Sequence, residues 1–204
     1  MKVYKTNQIK NIALIGNSGS GKTTLAEAML FECGLLRRRG TIDGGNTASD
    51  YFPVEKEYGY SVFPSVISYE WKDKLMNFID CPGADDFVGG VITALNVTDM
   101  ALMLIDAASG VEVGTVNQFR YADTLKKPVV LLVNKMDHEK ADYDNTLASL
   151  RDVYGSKITP VQYPIGSGAT FNGIIDVLKQ KYYHWEPGDT APQVLGITES
   201  EKER

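Results

Sequence analysis

The chain has 204 residues, 43% apolar and 23% charged, which is the composition of a globular domain with its own core rather than of a disordered segment. Its formal net charge of −5 argues against holding nucleic acid through bulk positive charge. No apolar run is long enough to span a bilayer.

The polar first residues predict no signal peptide. Residues 9–15 form a short apolar run ending in a glycine, which predicts a buried strand entering a tight turn. Residues 22–31 have helical spacing, with Leu25, Ala26, Met29 and Leu30 on one face. The one basic cluster, Arg37-Arg38-Arg39, reads as a solvated helix end. Residues 34–60 are rich in Gly, Asp, Asn and Tyr and lack periodicity; so long a loop inside a domain is usually functional or mobile. Residues 61–71 and 75–79 flank Lys72-Asp73-Lys74 and predict a hairpin. Helices over 87–96, 114–126 and 143–154 alternate with apolar runs at 100–105 and 129–133, which suit central strands covered by crossover helices. Residues 158–165 predict another strand and 174–182 another helix. A polar tail from Pro187, ending Glu-Ser-Glu-Lys-Glu-Arg, is expected to be poorly ordered. The alternation is that of a doubly wound α/β domain. Cys33 and Cys81 have neither metal nor redox spacing, so a reduced, cytoplasmic setting is expected.

Gly16-Asn17-Ser18-Gly19-Ser20-Gly21-Lys22-Thr23 matches G-x-x-x-x-G-K-S/T between a predicted strand and a predicted helix. Small residues let successive backbone N–H groups converge on β-phosphate oxygens, and the following helix adds its positive dipole end. Lys22 is expected to bridge the β- and γ-phosphates and the Thr23 hydroxyl to ligate Mg²⁺, with Thr24 completing the cradle. Asn134-Lys135-Met136-Asp137 follows directly after an apolar strand and fits N-K-x-D, a guanine-reading pattern. Asp137 accepts from guanine N1–H and the 2-amino group, neither of which adenine offers, while the Lys135 stem covers the base and Asn134 braces the loop. That disfavours the rival P-loop class, an ATPase or kinase. Asp80-Cys81-Pro82-Gly83 closes another strand and fits D-x-x-G. Asp80 is expected on Mg²⁺ through water and the Gly83 N–H on the γ-phosphate, so that loss of the phosphate releases the segment. Cys81 is expected to be a small packed residue rather than a reactive thiol.

These motifs, with Leu25-Ala26-Glu27-Ala28 after the loop and the hairpin after Ser61, resemble elongation factor G. So does Pro160-Val161-Gln162-Tyr163-Pro164-Ile165-Gly166 followed by Phe171-Asn172-Gly173-Ile174-Ile175-Asp176. It is similar to the P-V-Q-x-P-I-G…F-x-G-x-x-D segment at which that family's inserted G′ subdomain begins, a segment small Ras-like proteins lack. The resemblance covers residues 8–186 and implies a Ras-like P-loop fold, a mixed, mostly parallel sheet with helices on both faces. Residues 1–157 would be the core GTP-binding domain and 158–204 the start of the G′ subdomain. GTP or GDP would sit on residues 16–24, on Asp80-Cys81-Pro82-Gly83-Ala84 and on Asn134 to Asp137, with Mg²⁺ on Thr23, Ser61 and Asp80. The implied partner is the ribosome, on which the intact factor couples nucleotide state to tRNA–mRNA translocation; a monomer without sequence-specific nucleic-acid binding is expected. The family's S-A-x motif, its last strand and helix, and its later domains are not found before Arg204, so a truncated piece is expected.

Three departures bear on activity. The family's switch II reads D-T-P-G-H, with a histidine that positions or activates the attacking water; Ala84 stands there, and a methyl group can do neither. Loss of such a residue typically costs about 10²–10⁴-fold. The acidic residue usual in translational P-loops is Gly19, and the switch I signature R-G-I-T is Tyr58-Gly59-Tyr60-Ser61, which keeps a hydroxyl for Mg²⁺ and loses the arginine. His138 and His184 lie outside the switch segments and are expected as surface or packing residues. Two classes stay open: a GTPase in which another group or the ribosome supplies catalysis, and a GTP-binding module in which hydrolysis plays no part, which Ala84 favours. A ribosome-protection or release-type role within the family turns on C-terminal domains.

Overall fold

The computed structural model describes residues 2–197, which fall into two compact units. One takes in the chain to Ile105 together with Glu112–Asn134; the other takes in Asp106–Val111 together with the chain from Lys135.

The first unit is built on five strands: β1 (Ile9–Ile15), β2 (Ser65–Trp71), β3 (Lys74–Asp80), β4 (Met100–Asp106) and β5 (Val129–Asn134). Their order is β2-β3-β1-β4-β5, with β1 parallel to both β3 and β4, and β2 antiparallel to β3. The mixed sheet follows from the sequence pattern. Ala13, Leu14 and Ile15 on β1 and Met103, Leu104 and Ile105 on β4 are buried without alternation, as strands covered on both faces require. On β2, by contrast, Ser65, Ile67 and Tyr69 are buried while Val66, Ser68 and Glu70 are exposed, as an edge strand with one covered face requires. Helix α1 (Lys22–Glu32) lays Ala26 and Leu30 against Leu14, Ile67, Tyr69 and Phe78, the Tyr69 and Phe78 rings stacking at 5.6 Å. Each large apolar side chain buried there stabilises the fold by ~1.5–3 kcal/mol. Arg37-Arg38-Arg39 is solvated as expected but lies beyond the end of α1, not on it; the Arg39 guanidinium sits 5.6 Å over the Phe31 ring.

The long aperiodic stretch contains a short helix, α2 (Pro53–Tyr58), with proline at its first position. Two buried carboxylates tie the rest down. Glu27 on α1, 2% exposed, accepts from the Gly40 N–H at 2.7 Å and from the Ala48 N–H. Glu55 on α2, 1% exposed, accepts from the N–H groups of Phe52, Val62 and Phe63 at 3.2, 3.0 and 3.1 Å. Residues before Ser65 therefore bond to Glu55 rather than to a neighbouring strand, and β2 begins four residues later than expected. Helices α3 (Val88–Val97) and α4 (Val113–Thr124) complete this unit.

The second unit holds α5 (Tyr143–Tyr154), capped by the Asp142 carboxylate, which accepts from the Asn145 N–H at 2.9 Å. Four short antiparallel strands follow in chain order: β6 (Gln162–Ile165), β7 (Gly173–Asp176), β8 (Lys181–His184) and β9 (Gln193–Gly196). The strand expected over 158–165 is thus only its last four residues. The helix expected over 174–182 is a hairpin: the Asp176 carboxylate accepts from the Lys179 N–H at 2.9 Å, and Gln180 takes φ 54 to turn the chain back. Ile174 and Ile175 then face Tyr183 and Tyr182 across the ladder, pairings that β-branched and aromatic residues favour. The tail expected to be disordered from Pro187 supplies β9; its last residues, Glu-Ser-Glu-Lys-Glu-Arg, lie outside the described residues. Among the described residues no helix is long and apolar enough to cross a membrane.

Candidate nucleotide site

Within the first unit, β1 delivers the chain to Gly16, which takes φ +132; a Cβ there would lie 2.4 Å from the Leu104 carbonyl oxygen, so only glycine fits. The loop ends at Gly21, the residue before α1. Asn134, at the end of β5, donates through Nδ2 to the Ser20 carbonyl at 2.9 Å and so braces the loop. Lys22 is buried, and its Nζ donates to the carbonyls of Gly16 at 2.8 Å and Asn17 at 2.9 Å. Burial pulls its pKa below the usual lysine value, while the Asp80 carboxylate acts the other way.

Thr23, Ser61 and Asp80 come together, and Asp50 joins them. The Thr23 hydroxyl donates to Asp80 Oδ2 at 2.9 Å, and the Ser61 hydroxyl donates to Asp50 Oδ1 at 2.7 Å. Each hydroxyl has one proton and has given it to a carboxylate, so Thr23 Oγ1 and Ser61 Oγ meet across 3.3 Å with lone pairs only. Asp80 is 1% exposed; its Oδ1, Ser49 Oγ and Ser20 Oγ are all buried without a hydrogen bond of ordinary geometry, and the Ser49 hydroxyl still favours the Asp80 carboxylate. Burial pushes the Asp80 carboxyl up to about 6, against the pull of the Ser49 and Thr23 hydroxyls and the Lys22 ammonium. Burial also raises Asp50, against the Ser61 hydroxyl. Hard oxygen donors, two of them carboxylates, and an orphaned oxygen suit a small divalent cation such as Mg²⁺. Among the described residues no cluster of three or more His, Cys, Asp or Glu side chains could hold a metal, so such an ion depends on phosphate and water for the rest of its shell.

Asp80 closes β3, and the chain continues through Cys81, a packed residue with no exposure whose thiol burial pushes up. Gly83 lies directly against the phosphate loop: a Cβ there would fall 2.6 Å from both Ser18 N and Lys22 Nζ. Ala84 follows, partly buried, its backbone extended at φ −80, ψ 140. Gly19, where the acidic residue would stand, has open space around it.

In the second unit, Lys135 takes the left-handed φ of 58 and its Nζ reaches Asp106 Oδ2 at 2.8 Å. Burial raises the Asp106 carboxyl, but Lys135 and the Ala108 N–H more than offset it, leaving it below the usual range. Met136 is buried and its carbonyl accepts from the Gly168 N–H at 2.8 Å, while Asp137 is exposed. His138 is exposed, its Nδ1 accepting from the Lys140 N–H at 3.2 Å; His184 lies between the Tyr182 hydroxyl at 3.0 Å and Glu186 at 3.1 Å.

Sequence reasoning missed Asp50, Glu55 and the strap role of Glu27. Asp50 and Glu55 leave no trace but the aperiodic, acid-containing loop itself, and Glu27, on α1, leaves none; Glu27 and Asp50 bond to groups 11 to 21 residues away, while Glu55 gathers N–H groups within its own loop.

Residues 7–187 match the family described as Elongation factor Tu GTP binding domain. An elongation factor G-like protein of Thermotoga maritima is 39% identical over 178 residues, which is 87% of this chain and 25% of that protein. Elongation factor G of Petrotoga mobilis is 35% identical over 184 residues, 90% of this chain and 26% of that protein. Mitochondrial ribosome-releasing factor 2 of Bos taurus is 35% identical over 180 residues, 88% of this chain and 23% of that protein. A crystal structure of a protein from Thermus thermophilus aligns with a TM-score of 0.87 at 36% identity, covering 96% of this chain and 29% of that one. The chain thus spans about a quarter of the length of the curated relatives it matches.

Proposed function

The chain belongs to the elongation factor Tu GTP-binding domain family and is elongation-factor-G-like, and on that premise we propose that it binds guanine nucleotide with Mg²⁺ as the switch of a ribosome-associated translation factor. The observation that carries the metal and phosphate assignment is the meeting of the Thr23 and Ser61 hydroxyls, each turned to a carboxylate, beside the buried Asp80 Oδ1. Mg²⁺ bound there would neutralise charge building up on the β- and γ-phosphate oxygens. Thr23, Ser61, Asp80 and Asp50 would hold it. Residues 16–24 hold the phosphates through their N–H groups, and Lys22 exchanges the Gly16 and Asn17 carbonyls for phosphate oxygens. Gly83 meets the γ-phosphate. Asp137 accepts from guanine, Lys135 covers the base, and Asp106 fixes the Lys135 ammonium.

Hydrolysis is slow or negligible in this reading. Ala84 has neither a proton acceptor nor a group to orient water, and neither histidine lies in a switch segment. The deficit is ~3–5 kcal/mol in the barrier. In this reading the domain serves a factor that works on the ribosome, in translocation; the equal identity to ribosome-releasing factor 2 supports a release-type role as the second reading. Residues 1–157 serve as the GTP-binding core and 158–204 as the start of an inserted subdomain.

Calorimetric titration of the intact protein with GTP, GDP and ATP, with and without Mg²⁺, tests the binding claim. Tight guanine binding that weakens on chelation is expected, and equal affinity for ATP would overturn it. Ribosome-stimulated turnover tests the hydrolysis claim: Ala84→His is expected to raise it about 10²-fold or more. A wild-type rate already matching that variant would refute the assignment of Ala84.

A further inference from the structure

Gln118, on α4, is 2% exposed and has no part in the assignment above. A buried primary amide is costly unless both its ends find partners. Here they do, and the partners are two segments of the nucleotide site. The Gly16 N–H donates to Gln118 Oε1 at 2.6 Å. A backbone N–H can only donate, so the atom facing it must be the amide oxygen, which fixes the orientation of the whole amide. Its NH₂ group is thereby aimed at the Gly83 carbonyl, 3.5 Å away, at the outer limit of a hydrogen bond. Gly16 is the first residue of the phosphate loop and Gly83 the last of Asp80-Cys81-Pro82-Gly83. One turn earlier on the same face, Gly114 packs so closely on the loop that a Cβ would lie 2.3 Å from Asn17 Oδ1. Helix α4 is thus seated on the phosphate loop at two successive turns.

We propose that Gln118 is a positioning residue that couples the switch turn to the phosphate loop and so sets the preference for triphosphate over diphosphate. The proposal rests on the guanine-nucleotide reading above. Its oxygen holds the start of the loop, which every bound phosphate touches. Its NH₂ group holds the Gly83–Ala84 peptide, and because that peptide is planar and trans, the Ala84 N–H points the opposite way. The switch turn is therefore held to the same side chain as the loop. A diphosphate makes no use of Gly83, so the NH₂ bond bears on the triphosphate complex alone. The oxygen bond bears on both.

Two near-isosteric variants separate the bonds. Q118E keeps an acceptor for the Gly16 N–H and, at a pH where its carboxyl is ionised, gives up the donor to Gly83; Q118M gives up both and adds no charge. The measurements, on the full chain, are affinities for GDP and a non-hydrolysable GTP analogue, and amide hydrogen exchange of residues 81–87 without nucleotide. Both variants are expected to lose about three- to tenfold in the preference for the GTP analogue over GDP, the worth of one modest hydrogen bond. Q118M is also expected to weaken both nucleotides, and residues 81–87 to exchange faster in both variants. If one variant fails to fold, the other still reports the preference. An unchanged preference, or unchanged exchange of 81–87, overturns the proposal and leaves Gln118 a packing residue. Failure of the parent reading looks different: the wild-type chain would then not distinguish guanine from adenine nucleotides, while the exchange measurement would still decide whether Gln118 ties the two segments.

Discussion

Two of the three segments that bring oxygen atoms to the candidate Mg²⁺ site are held by different means; the third is the end of β3, which carries Asp80. The phosphate loop, residues 16–23, is fixed by a glycine that must take a positive φ, by the helix that carries its last residues, and from outside by the Asn134 amide and the Gln118 oxygen. The loop carrying Asp50 and Ser61 is fixed by main-chain N–H groups converging on two carboxylates, Glu27 on α1 and Glu55 within the loop itself. A segment pinned by backbone geometry and packed neighbours has no single attachment whose loss frees it. One built the second way has two discrete attachments, and detaching either releases it, which is what a switch segment needs.

The comparison breaks first at Gly16. Gly16→Ala adds a Cβ 2.4 Å from a main-chain oxygen at φ +132, so both strand and loop must shift. A loss of ~4 kcal/mol or more in denaturant unfolding is expected, together with loss of nucleotide binding. Glu55→Ala should come next. It leaves the N–H groups of Phe52, Val62 and Phe63 without their acceptor, at a cost of ~3–4 kcal/mol. The distinguishing measurement is limited proteolysis: cleavage should speed up within residues 34–63 while residues 16–23 stay protected. Uniform acceleration along the first unit would show that the two segments are not held independently.

The same contrast explains what was legible in the sequence. The phosphate loop, the apolar runs of β1, β4 and β5, the helically spaced apolar residues of α1 and the amphipathic α5 all announce themselves within a dozen residues, because the forces that shape them are local. Glu27 and Glu55 look like ordinary helix-surface acids; their burial exists only once the chain folds back on them. Gln118 likewise sits among polar residues of α4, and nothing nearby in sequence marks it as buried. The stretch 174–182 misleads for the converse reason. Ile174, Val177 and Leu178 fall at helical spacing, but the turn at Asp176 to Gln180 and the pairing with Gln162–Ile165 decide the outcome. Tertiary pairing overrides a short periodic signal.

Asp80 sharpens the comparison, because it is a cost the first unit carries for its site. Its carboxyl titrates at about 6 in the folded protein, against 3.8 when unperturbed. Between those values the folded chain binds more protons than the unfolded one. Without metal, stability should therefore fall as pH rises from about 4 to about 6, then level off. Asp80→Asn removes the buried charge and should raise metal-free stability at pH 7 by ~2–3 kcal/mol while weakening Mg²⁺-dependent nucleotide binding. Unfolding curves at pH 4.5 and 7 for both proteins would test it: a gain equal at the two pH values would refute burial of the charge as its source.

The smallest effect is predicted at Gly19, the phosphate-loop glycine with nothing within 4 Å of where a Cβ would stand. Its φ of +78 is left-handed, a conformation that aspartate tolerates better than most residues. Gly19→Asp should cost only ~1 kcal/mol of stability, a quarter or less of the Gly16→Ala penalty, although the two residues share one loop. What separates them is neighbouring atoms rather than backbone angle. The variant also returns to the loop the acidic side chain that translational P-loops usually carry. If that carboxylate contributes through a cation near the phosphates, nucleotide affinity should gain a dependence on monovalent cation that the parent chain lacks. A stability loss as large as that of Gly16→Ala would mean that the backbone angle alone sets the demand for glycine throughout this loop.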